Sequence, residues 1–130
     1  MACCLLWHMG AMSVPASFQS RSFRFAADIL RCYRTLSSSM VVPRSLSEQM
    51  PRAGTAIGAN LEEAKSAHSR RDLAAKYVVS LREARKCHYW LRLIAADQPQ
   101  LLGSLSGLLE ECNQLIAMLT TTVKKLRSEP

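Results

Sequence analysis

The sequence predicts an all-α protein, an up-down-up-down four-helix bundle. Three observations carry that expectation. Four stretches repeat apolar residues at steps of three and four, the period of one helix face. No stretch alternates apolar and polar residues convincingly enough to read as a strand. The connections between the four stretches are short, as antiparallel helical neighbours require. The 130 residues suit one domain. With 48% hydrophobic and 21% charged residues, the disordered, collagen-like and low-complexity classes are excluded.

Residues 1–17 are expected to be a flexible leader, set apart from a single bundle domain over 18–130. The opening run Met1 to Ala11 is apolar but holds no Lys or Arg. It also falls well short of the roughly 20 residues that span a bilayer, which argues against a signal peptide or an anchor. The five cysteines are odd in number and include the neighbours Cys3 and Cys4, so they form no disulfide framework. A reducing, cytoplasmic setting is the expectation.

The first helix is predicted from Ser20 to Ser37, where Phe25, Ile29, Cys32 and Leu36 recur at helical spacing and Arg24, Asp28, Arg31 and Arg34 lie off the stripe. The second opens on Ser45-Leu46-Ser47-Glu48, which reads as a capping box. Leu46, Met50, Ala53, Ile57, Leu61 and Ala64 form its stripe, and Pro51 is expected to kink it or mark its effective start. Gly54 and Gly58, with Ala53, Ala56 and Ala59, make this helix slim enough for a close neighbour. The third begins at Ser69, paired with Asp72, and carries Leu73, Tyr77, Leu81, Ala84, His88 and Leu91. It is expected to stop near Asp97, because Gln98 precedes Pro99. The fourth shows Leu105, Leu108, Cys112, Leu115, Leu119, Thr122 and Leu126, with a parallel row of Leu102, Leu109, Ile116 and Val123. That stripe is wider than a two-helix seam needs.

The chemistry-bearing motifs are absent. There is no GxGxxG, GxxxxGK[ST], HExxH, CxxC or GxSxG, and neither Glu62 nor Glu63 has a His three residues on, as a di-iron bundle would need. Cys87 and His88 are adjacent, so on a helix they point about 100° apart. Cys32 and Cys112 read as small core residues. The pairs Glu62-Glu63 and Glu110-Glu111 read as solvated or ion-paired. No catalytic residue, cofactor or metal is expected.

The charge is the informative quantity. Seventeen Lys and Arg against ten Asp and Glu leave +7, and the stretch from Lys65 to Arg92 alone carries eight basic residues against Asp72 and Glu83. A concentrated basic helix attracts phosphate backbones through counterion release. The same cations also suit a solvated face paired in part to Glu on neighbouring helices. Tyr89 and Trp90 lie beside Lys86 and Arg92, and packing explains those rings as well as base stacking does.

The block Arg52-Ala53-Gly54-Thr55-Ala56-Ile57-Gly58-Ala59-Asn60-Leu61-Glu62-Glu63-Ala64, followed by Ser80-Leu81-Arg82-Glu83-Ala84 and Tyr89-Trp90-Leu91-Arg92-Leu93, resembles a bacterial family first described from reading frames in 23S rRNA intervening sequences, often labelled S23 ribosomal protein. The match follows an RAxxSIxANIxEA core, with Ala56 where Ser is usual, and the likeness runs from about Ser22 to Leu126. The family is similar to the accessory variability proteins of diversity-generating retroelements, which are basic pentamers that bind nucleic acid. The resemblance therefore implies a four-helix bundle, assembly into a homopentamer and no established enzymatic activity. It marks Arg52, Asn60 and Glu63 as motif residues with structural roles. If buried, Asn60 needs partners, with Arg or Ser from the third helix or Glu63 as candidates.

The resulting expectation is a non-enzymatic, oligomeric bundle. A basic face of Arg70, Arg71, Lys76, Arg82, Arg85, Lys86 and Arg92 would contact RNA or DNA with little sequence preference. The alternative is a scaffold for protein–protein interaction with no nucleic-acid role.

Overall fold

The computed structural model describes residues 16–39 and 42–128, with side chains from Phe18 onward. The expected leader lies outside the described residues except for Ala16 and Ser17, which belong to the first turn of the first helix. Four helices make up the fold: α1 (Ala16–Ser39), α2 (Arg44–Ala64), α3 (Arg70–Asp97) and α4 (Leu102–Ser128). A 3₁₀ turn, Pro99–Leu101, precedes α4. Among the described residues there is no strand, and no helix is long and apolar enough to cross a membrane.

Each helix buries most of the stripe its spacing marks out. On α1 the buried positions are Phe18, Ser22, Phe25, Ile29 and Leu36, with Cys32 half-buried between the last two. The start of α2 differs from expectation. Pro43, at φ −54° and ψ 137°, stands at the N-cap position without a side-chain bond, and its carbonyl accepts from the amides of Leu46 at 3.1 Å and Ser47 at 2.9 Å. Ser45 is thus already inside the helix and exposed, and Glu48 accepts from Arg44 Nε at 2.7 Å. The proline reaches the extended ψ that a helix entry needs and sets the start one residue before Ser45. Pro51 lies within α2 without marking its start.

The α3 cap forms as expected, with Asp72 N donating to Ser69 Oγ at 3.0 Å. Its C-terminal end also falls at Asp97, because Gln98, at φ −128° and ψ 77°, is pushed out of the helical region by the proline that follows. Two pairs of neighbours exchange rank on this helix. Ser80 and Cys87 are fully buried, while Leu81 and His88 are half-buried. On α4, Leu105, Cys112, Leu115, Leu119 and Val123 are buried, and Lys125 and Arg127 complement the helix dipole in the last turn.

Sequential neighbours α1–α2, α2–α3 and α3–α4 pack along their lengths, whereas α1 meets α4 only lightly. Side chains on one helix donate to backbone carbonyls on the next: Gln19 Nε2 to Leu61 O at 3.1 Å, Ser80 Oγ to Ile57 O at 2.9 Å, and Cys112 Sγ to Ala84 O at 3.3 Å. These bonds satisfy polar groups in an apolar interior and specify how the helices register axially. Among the described residues no buried side-chain nitrogen or oxygen lacks a partner. Across the lightly packed seam, Arg21 bonds Glu111, and its guanidinium also donates to Gln114 Oε1 at 2.7 Å. Beside that tie an open cleft of about 440 Å³ lies between Phe25 and Cys32 on one side and Gly107 and Leu108 on the other.

Candidate nucleic-acid interface

The seven expected contact residues on α3 separate into two groups. Arg70 Nε donates to Leu126 O at 3.3 Å, Lys76 Nζ bonds Glu63 Oε1 at 3.1 Å, and Lys86 Nζ bonds Glu83 Oε1 at 2.7 Å. Arg70 therefore helps to hold α4, and the two lysines are ion-paired. Arg71, Arg82, Arg85 and Arg92 are exposed and make no hydrogen bond or ion pair among the described residues. Their steps of 11, 3 and 7 place them within an arc of about 80° on one side of the helix, over a length of about 32 Å. Most guanidinium groups on this face are thus available to an external anion, and no carboxylate among the described residues pairs with them.

The acidic residues explain the division. Lys76 pairs across the α2–α3 turn with Glu63, and Lys65 pairs with Glu62 on its own side of that turn at 3.0 Å. Glu111 is taken by Arg21 of α1. These three carboxylates meet other cations and leave the outer stripe of α3 without an ion pair among the described residues. Glu63 is exposed and pairs with Lys76, and Arg52 is exposed on the outside of α2. Asn60 finds its hydrogen-bond partner within α2. It is half-buried and its Nδ2 donates to Ala56 O at 2.7 Å within its own helix, so it needs no partner from α3.

The two rings that were ambiguous in the sequence resolve differently. Trp90 is half-buried and packs against the core, while Tyr89 is 50% exposed. Their rings meet at 5.1 Å between centroids with 73° between planes. Tyr89 lies four residues after Arg85 and three before Arg92, so it shares the face of the unpaired arginines. The signal for this was present in the sequence as the spacing 82, 85, 89, 92.

Cys87 and His88 do not form a thiolate–imidazole pair. A hydrogen bond with Cys112, followed by burial, holds the Cys87 thiol well above its ordinary pKa, so it stays protonated. Burial lowers the His88 pKa, and nearby Arg92 lowers it further. Among the described residues no three His, Cys, Asp or Glu side chains gather in a way that could hold a metal ion.

Comparison with known proteins bears on this geometry. The family model described as 23S rRNA-intervening sequence protein matches residues 17–121. Among solved structures, the chain is similar to a protein with unknown function from the S23 ribosomal protein family of Bacteroides thetaiotaomicron. The two share 29% identity, with a TM-score of 0.77, over 82% of this chain and 98% of that one. No curated protein matches the chain.

Proposed function

The chain belongs to the 23S rRNA-intervening sequence protein family, and from that premise we propose that it is a non-enzymatic, cytoplasmic, homo-oligomeric bundle that binds RNA or DNA backbones through α3. The observation that carries this reading is the row Arg71, Arg82, Arg85 and Arg92, four exposed guanidinium groups on one face with no carboxylate partner among the described residues. Phosphate contacts of this kind are sequence-independent and weaken with salt. Four of them per protomer predict a slope of log affinity against log salt of about −3 to −4. In a homopentamer, five copies of the +7 protomer carry about +35 and add avidity.

The test is a binding titration against mixed-sequence RNA across ionic strength, with an R82Q/R85Q variant and a K86Q variant beside the wild type. The unpaired arginines should matter more than the paired lysine, so R82Q/R85Q loses affinity and flattens the slope while K86Q does so less. No binding at low salt, or unchanged affinity in R82Q/R85Q, would overturn the proposal. Sedimentation at micromolar concentration tests assembly, and a monomer mass contradicts it.

One observation favours the scaffold reading as a second possibility. Phe23 is 79% exposed and Leu30 is 41% exposed one heptad later on α1, an apolar pair facing outward. If F23A abolishes assembly or partner capture and R82Q/R85Q changes nothing, the scaffold reading replaces the first.

A further inference from the structure

We infer that the basic face of α3 takes a single-stranded nucleic acid, with Tyr89 as the platform on which a base stacks. This rests on the nucleic-acid reading above and adds the form of the ligand. The ring stands among the cations: Arg82 and Arg85 lie two turns and one turn before it, and Arg92 one turn after. It is half exposed, whereas Tyr77, on the same helix, is buried in the core. It is also anchored. Trp90 meets it at 5.1 Å between centroids with 73° between planes and itself packs against the core, which holds the tyrosine in place while half of it stays exposed. Leu93, four residues on, is also partly exposed and continues the apolar floor beside the ring.

Phosphates alone would need only the arginines. Bases within a duplex are stacked on both faces and have no π-surface to offer a ring on a helix side, whereas an unpaired strand presents its bases to aromatic platforms while its backbone follows a basic groove. A tyrosine held open between guanidinium groups therefore suits a single strand. It accepts any base, in keeping with a face that makes no sequence-specific contacts.

The experiment compares a mixed-sequence single-stranded RNA with the same strand annealed to its complement, titrated against the full chain by fluorescence anisotropy. The proteins are wild type, Y89A, Y89F and R82Q/R85Q. Y89A should weaken single-strand binding roughly 5- to 100-fold and change duplex binding by less than about twofold, and Y89F should keep wild-type affinity. Single-strand binding should also alter Trp90 fluorescence, read in a W7F background because Trp7 is the chain's other tryptophan. R82Q/R85Q should weaken both ligands. If Y89A leaves single-strand affinity unchanged, or weakens both ligands equally, the stacking inference is overturned while the electrostatic reading stands. If R82Q/R85Q has no effect on either ligand, the electrostatic reading falls and this inference falls with it.

Discussion

Gly54 of α2 sits so close to Ile29 of α1 that a Cβ built on the glycine would lie 3.0 Å from both Cγ1 and Cγ2 of Ile29, and 3.2 Å from Cys87 Sγ on α3. Three helices converge on one missing side chain. Ile29 and Cys87 are both fully buried, so neither can move aside easily. Gly54→Ala is expected to destabilise the fold by about 1–3 kcal/mol through overpacking, despite the helix-propensity gain of about 1 kcal/mol that alanine brings. Urea denaturation measures it, and a stabilised variant would contradict the close approach.

Gly103 and Gly107 on α4 predict the opposite sign. A Cβ at either position meets nothing within 4 Å. Gly103→Ala and Gly107→Ala should each raise stability by about 0.5–1 kcal/mol from helix propensity alone. The same denaturation series reads both, and a loss of stability at either would show that the helix face there is already covered.

His88 predicts an acid-side loss of stability. Its native pKa lies below the ordinary 6.5, because burial, and then Arg92, disfavour the imidazolium. As pH falls through 6.5 the unfolded chain takes up a proton that the native state refuses, so this contribution is complete above 6.5 and declines below it. His88→Gln should show a smaller drop in denaturation midpoint between about pH 7.5 and about pH 5.5 than the wild type does. Equal drops would mean that the imidazolium is not disfavoured in the fold.

Tyr77 predicts an alkaline loss. Burial pushes its hydroxyl from 10.0 up to about 12, so the native state holds the proton after the unfolded chain has released it. The stability linked to that proton is present below about pH 10 and is lost as pH rises from there towards about 12. Tyr77→Phe should keep the aromatic contact with Phe18, whose ring lies 6.0 Å away, and remove that alkaline slope. Thermal unfolding across this range tests it, and an unchanged slope in the variant would overturn it.

The helices and their buried stripes were largely legible because burial on a helix follows periodicity, and periodicity is written in the order of residues. Phe25, Ile29, Met50, Ile57, Leu61, Leu91, Leu115 and Leu119 all fall where spacing puts them. The Ser69–Asp72 cap was legible for the same reason, since both partners lie within one turn. Ser45 misled because capping depends on backbone angles, and Pro43 had already opened the helix. Charge could be counted from the sequence but its pairing could not. Glu63 meets Lys76 across a turn and Arg21 meets Glu111 across 90 positions, so only folding reveals which cations of α3 are left uncompensated. Tyr89 and Tyr77 have the same chemistry, and their phase on one helix separates a surface ring from a core ring.

The thin seam between α1 and α4 gives the bundle an order of opening. Three helix pairs are zipped along their lengths, while this one is fastened mainly through the guanidinium of Arg21 beside an open cleft. α1 and α4 each rest along their length on one neighbour only, so their amides are expected to exchange with solvent sooner than those of α2 and α3, which are held from both sides.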